Sequence, residues 1–208
     1  MEHDYLNSYS TALIQRFNQG RMKMSNWFRC VLFIFVIFCE KYALAQCVNS
    51  ATPSCGVYTQ CFAKYCNCST SSSEYFISYG KNYCERFLGN TKFSKEGEKW
   101  RNATLVCLQE AIVPHLEITE PVKACDCPAM RKVAIDSHVG CYTQPSNSIC
   151  NLPTEDLVEI GKIVALKDIF SKEGWDTMKQ IAAKCKTTAG SADKRDRWDT
   201  MSKALNAY

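Results

Sequence analysis

Apolar and polar positions divide the chain into one apolar run and a series of amphipathic stretches with helical spacing. The run, Val31-Leu-Phe-Ile-Phe-Val-Ile-Phe-Cys39, falls short of the ~20 apolar residues that a membrane-spanning helix needs. Beyond it, Phe76, Tyr79, Tyr83 and Phe87 recur at three- and four-residue intervals, which predicts a helix from about Ser71 to Leu88. Ser71-Ser-Ser-Glu74 has the form of a capping box at its start. A turn around Gly89 and Asn90 leads to a second predicted helix over about 98–112. Trp100, Thr104, Cys107 and Ala111 form one stripe of it, Leu105, Leu108 and Ile112 lie beside that stripe, and Pro114 ends it. With Cys84 on the first helix and Cys107 on the second, this pair becomes a hub to which flanking segments can be stapled.

A third helix is expected to open at Pro128 and run through Met130, Val133 and Ile135 to Cys141. Pro153-Thr-Glu-Asp opens a fourth through Leu157, Ile160 and Val164, and Trp175 to Cys185 forms a fifth with Met178 and Ile181 facing inward. Residues 187–193 are small and polar, and Trp198, Met201, Leu205 and Tyr208 then make an apolar stripe on a short charged helix. That last helix reads either as a loosely docked tail or as a contact for a partner or a second copy. There is no strand-like alternation and no internal repeat, so the fold class expected is all-α, a small disulfide-stapled helical domain.

The residues flanking the apolar run change how the cysteines are read. Arg16, Arg21, Lys23 and Arg29 precede it and Ala43-Leu44-Ala45 follows, the layout of a secretory signal peptide cut after Ala45. A retained anchor is the alternative. Met22 or Met24 would be a more usual initiator for such a signal. The organisation expected is therefore an extension and signal at 1–45, a disulfide-rich domain at 46–186, and a linker with a short helix at 187–208. Cleavage removes Cys30 and Cys39 of the 14 cysteines and leaves twelve. An even number in an oxidising compartment implies six disulfides. Cleavage also removes five of 25 basic and three of 21 acidic side chains, so the net charge falls from +4 to +2. This balance gives no electrostatic reason to expect nucleic acid or an anionic membrane as partner.

Two Cys-x-Cys pairs, Cys66-Asn-Cys68 and Cys125-Asp-Cys127, stand out. Residues two apart in extended chain point the same way, so two facing pairs could form two adjacent bridges or a four-thiolate metal site. Secretion favours the bridges, and no cofactor is expected. Asn102-Ala-Thr104 and Asn67-Cys-Ser69 are acceptor sequons for N-glycosylation. The fragment His138-Val-Gly-Cys141-Tyr142 resembles the helical His-Asp-x-Cys-Tyr of secreted phospholipases, but Val139 replaces the aspartate, Ala134 and Ile135 replace the preceding cysteine pair, and no glycine-rich calcium loop is present. With His3, His115 and His138 as the only histidines, no Ser-His-Asp or Cys-His arrangement is suggested and no enzyme activity is expected. The scattered Asp and Glu side chains read as solvated helix faces.

Taken together, the cysteines and their neighbours resemble stanniocalcin, a family of secreted helical glycoprotein hormones. Cys47-Val-Asn-Ser-Ala with Cys55-Gly and Cys61 is similar to the family's mature N-terminal cluster. Cys84-x-x-Phe-Leu, Lys92-Phe93, Gly97 and Cys107 follow its central pattern, and Cys141-Tyr142, Cys150, Pro153 to Glu155 and Cys185 continue it. The resemblance implies bridges joining Cys47 to Cys61, Cys55 to Cys84, Cys107 to Cys141 and Cys150 to Cys185. A further link would join Cys66/Cys68 to Cys125/Cys127, where the matched extra cysteines imply a sixth bridge. It also implies hormone-like action on calcium and phosphate handling, through an extracellular receptor or by inhibition of a secreted metalloproteinase. The family's covalent dimer uses a cysteine in the C-terminal tail. None follows Cys185 here, so no disulfide-linked dimer is expected, and the Trp198 helix leaves a non-covalent one open. The alternatives are a cysteine-stapled structural module of the extracellular matrix or a secretion and, after that, a secreted hydrolase.

Overall fold

A computed structural model describes residues 47–49, 51–118 and 124–207. The apolar run, the proposed signal, Cys30, Cys39 and Tyr208 lie outside the described residues. Among those described, helices account for all regular structure, and none is long and apolar enough to cross a membrane. The class is all-α.

Among the described residues eight helices follow one another, with single 3-10 turns at Val113–His115 and Ile149–Asn151 besides. Helix α1 is a π-helical turn, Tyr58–Phe62, continuing into Ala63–Tyr65. Helix α2 is likewise π-helical over Phe76–Lys81 before it becomes regular over Asn82–Gly89. Then come α3 (Lys95–Ile112), α4 (Cys127–Tyr142), α5 (Thr154–Ile163), α6 (Leu166–Ile169), α7 (Lys172–Thr188) and α8 (Ala192–Asn206). Helix α6 was not legible in the residue pattern.

The start of α2 departs from the expected capping box. Ser71 does not cap the helix; the Glu74 carboxylate does, accepting from the Ile77 and Ser78 amides at 2.7 and 2.9 Å. Those bonds hold its pKa below the ordinary glutamate value against the opposing effect of partial burial, which is the largest single influence. The π-helical turn that follows brings Gly80 against the Tyr58 ring, where an added Cβ would lie 2.5 Å from Cε1. Only glycine permits that approach of α2 to α1.

One string, Phe-Ser-Lys-Glu-Gly, occurs twice, at 93–97 and 170–174, a short repeat that the expectation of none overlooked. Both copies start a helix. Ser94 accepts from the Gly97 amide and Ser171 from the Gly174 amide, each as an N-cap. The phenylalanines diverge: Phe93 is buried and stacks on Phe87 at 6.3 Å, whereas Phe170 is 67% exposed and stacks on Trp175 at 5.8 Å.

The core is gathered on α3. Trp100, Leu105 and Ile112 are buried there, with Phe62, Phe76 and Phe87 from α1 and α2 and Met130 and Ala134 from α4. Complete burial of one such side chain as Phe62 stabilises by about 1.5–3 kcal/mol. Trp100 Nε1 donates to the Tyr142 carbonyl at 3.2 Å, which ties α3 to the end of α4.

The C-terminal helix corrects the reading of a loose tail. Helix α7 runs on to Thr188, three residues connect it to α8, and the two pack along each other as a helical hairpin. Trp198 and Leu205 are buried, and Trp198 Nε1 donates to the Cys150 carbonyl at 3.1 Å. Of the stripe's described residues only Met201 is exposed, so the apolar face is already occupied within the chain.

Candidate functional site

The twelve described cysteines form six disulfides. Cys47 is joined to Cys61, Cys55 to Cys84, Cys66 to Cys125, Cys68 to Cys127, Cys107 to Cys141 and Cys150 to Cys185. The hub cysteines therefore connect in opposite directions: Cys84 on α2 holds the N-terminal cluster, and Cys107 on α3 holds the end of α4. Cys150 and Cys185 are fully buried under α8.

The two Cys-x-Cys pairs face each other and make two parallel bridges, each spanning 59 residues. The sulfurs of Cys66, Cys68 and Cys125 lie within 4.8 Å of one another, a spacing that could serve a metal. Each is half of a disulfide, and metal ligation requires thiolates. As bonded, these residues do not fit a metal ion.

His138, the tempting catalytic residue, is part of the core. It is buried on α4, and its Nδ1 donates to the Ala134 carbonyl at 2.8 Å. Burial depresses its pKa below the usual histidine value, so the ring is neutral in the folded chain. Its neighbours are Tyr142 at 5.5 Å and Tyr79 at 6.4 Å between ring centroids, not a carboxylate. Tyr79 in turn packs on Tyr75 and Tyr83 at 5.1 and 4.6 Å. Burial raises the hydroxyl pKa of Tyr75, Tyr79 and Tyr142, and pushes that of Tyr58 up to about 12. None is poised to give up a proton near neutral pH. The gap these rings line has a volume of about 40 Å³, room for a water or two.

Two side chains that sequence reasoning missed organise the hub. Asp156 on α5 is fully buried, not on a solvated face, and accepts from Ser94 twice, from the amide at 2.9 Å and from Oγ at 2.6 Å. Its carboxylate thus sits at the start of α3, where the helix dipole favours negative charge. Gly97 leaves space for it, since a Cβ there would lie 2.6 Å from the carboxyl carbon. Gln109, also buried, donates through Nε2 to the Ser54 carbonyl at 3.2 Å and fixes the N-terminal cluster on α3. In the chain both look like ordinary polar helix positions; only the fold brings their partners to them.

Both sequon asparagines are exposed. Asn102 lies on α3, where its Oδ1 accepts from Arg101 Nε at 3.0 Å, and the third sequon residue, Thr104, is buried. Asn67 stands between the parallel bridges and accepts from the Ser69 amide at 3.1 Å. On another face, Leu166 and Phe170 at α6 are 70% and 67% exposed, the most exposed large apolar side chains described.

No curated protein and no solved structure matches this chain. The family model that does match describes stanniocalcins and covers residues 37–203. It spans the six-bridge domain and most of α8, which carries the Trp198 contact. The chain belongs to the stanniocalcin family.

Proposed function

We propose that the protein is a secreted, N-glycosylated regulatory protein that acts by binding other proteins, with the hormone-like role in calcium and phosphate handling that its family implies. The observation that carries this reading is the six-bridge helical frame across the family-matched region. Cross-linking of this density suits an oxidising compartment. The mature chain then begins at Gln46, after removal of 1–45, and carries glycans on Asn67 and Asn102.

Recognition of an extracellular receptor or a secreted metalloproteinase then falls to surfaces that the bridges leave free. The face of α6 with Leu166 and Phe170 suits it, because exposed apolar side chains are those that a protein partner gains most by covering. The test is expression of the whole chain in a secreting cell. N-terminal sequencing is expected to start at Gln46, and glycosidase treatment to remove two glycans. Saturable binding to cell-surface receptor or metalloproteinase is then measured for the natural chain and for Leu166→Asp/Phe170→Asp. The double variant is expected to lose at least about tenfold in affinity, or 1.4 kcal/mol, with its melting temperature unchanged. Secretion without any saturable protein binding would instead favour a structural module of the extracellular matrix.

A further inference from the structure

The parallel bridges differ from the other four in a way that the proposed function does not use. Among the described residues, Cys66, Cys68 and Cys125 are the one group of cysteines whose sulfurs cluster within 4.8 Å. Cys66 Sγ and Cys68 Sγ, which belong to different disulfides, are 3.5 Å apart. Access is asymmetric here, as it is at Cys47–Cys61, Cys55–Cys84 and Cys107–Cys141, so the adjacency of a second disulfide is what sets these two bridges apart. Cys66 and Cys68 are buried, while Cys125 and Cys127 are partly exposed.

We propose that this pair of adjacent bridges is a thiol–disulfide exchange site whose substrate is a low-molecular-weight monothiol. The incoming thiolate attacks the partly exposed Cys127 Sγ, whose leaving partner Cys68 is the sulfur that lies 3.5 Å from Cys66. The Cys68–Cys127 bond breaks, a mixed disulfide forms on Cys127, and Cys68 leaves as a thiolate with the bonding electron pair. At an ordinary bridge the released thiolate can only close back on its former partner. Here Cys68 lies beside a second disulfide: it attacks Cys66 Sγ, forms Cys66–Cys68 and expels Cys125 as a thiolate. Cys125, two residues from Cys127, then attacks the mixed disulfide, forms Cys125–Cys127 and releases the monothiol as its thiolate, which recovers the proton lost at the start. Two bridges are exchanged for two, nothing is oxidised or reduced overall, and the monothiol is regenerated. The structural consequence is release of the 66–68 segment from the N-terminus of α4.

The test uses the intact secreted protein and reduced glutathione at neutral pH, with acid quenching, alkylation and peptide mapping over time. Expected are transient glutathione on Cys127 and appearance of Cys66–Cys68 and Cys125–Cys127, while the other four bridges keep their partners. Parallel opening of all six bridges, or retention of both parallel bridges while glutathione labels other cysteines, would overturn the proposal. In the double variant Cys68→Ser/Cys127→Ser the relay is gone, and Cys66–Cys125 is expected to persist without rearrangement. Its rearrangement at the natural rate would contradict the relay. If that variant is not secreted, mapping of the natural protein decides alone.

Discussion

The carboxylate of Asp156 accepts both hydrogen-bonding groups of Ser94 at the head of α3. Asp156→Ala leaves the Ser94 amide without that acceptor in a partly buried site, so unfolding free energy in denaturant is expected to fall by about 1–3 kcal/mol. Asp156→Asn, which keeps one acceptor oxygen, is expected to lose less. His138 predicts a pH dependence. Burial depresses its folded-state pKa below 6.5, so below that pH the unfolded chain takes up a proton that the folded chain refuses. Stability therefore decreases as pH falls from about 6.5 toward the folded-state pKa, and is unaffected by this group above that range. Melting temperatures measured across this window are expected to show a slope that flattens in His138→Gln; an unchanged slope would place the titration elsewhere. Glu74, with its own depressed pKa, contributes stability that is lost only in the lower, carboxylate range, so the two effects are separable. None of this residue-level placement was legible beforehand. An aspartate in a helix's first turn and a histidine one turn before a cysteine look the same whether water or another helix covers them.

Elements were more legible than their surroundings. Periodicity located α2, α3, α4, α5, α7 and α8, because a helix that buries one stripe writes that stripe into the chain. Caps were less so: Ser71 to Glu74 has a capping-box spelling, yet Glu74 alone closes the first turn. The short α6 contains too few residues to display a period. For α8 the stripe of Trp198 and Leu205 was visible and its destination was not, since periodicity shows that a face is apolar without naming what it meets. It meets α7 and the segment carrying Cys150. Trp198→Ala is accordingly expected to cost about 3–5 kcal/mol in equilibrium unfolding. A change below about 0.5 kcal/mol, as for ordinary surface sites, would return α8 to the status of a loose tail.

For the whole molecule, a modest helical core is held by covalent links that each contribute about 2–4 kcal/mol. The bridges bring the N-terminal cluster onto α2, the end of α4 onto α3, and the Cys150 segment onto α7, so that α3 sits at the centre of a cross-linked frame. Cysteine count and the signal-like N-terminus pointed to six bridges, but spacing alone left metal ligation open for Cys66, Cys68, Cys125 and Cys127. The pairing came with the family resemblance, and the structure places the sulfurs of those four in two bridges. Disulfide mapping of the secreted, unreduced protein distinguishes this frame from every other pairing. Expected are Cys66–Cys125 and Cys68–Cys127 beside Cys47–Cys61, Cys55–Cys84, Cys107–Cys141 and Cys150–Cys185, with no free thiol among the twelve. Cys66 or Cys68 bonded within the N-terminal cluster, or four reactive thiols after metal stripping, would contradict it.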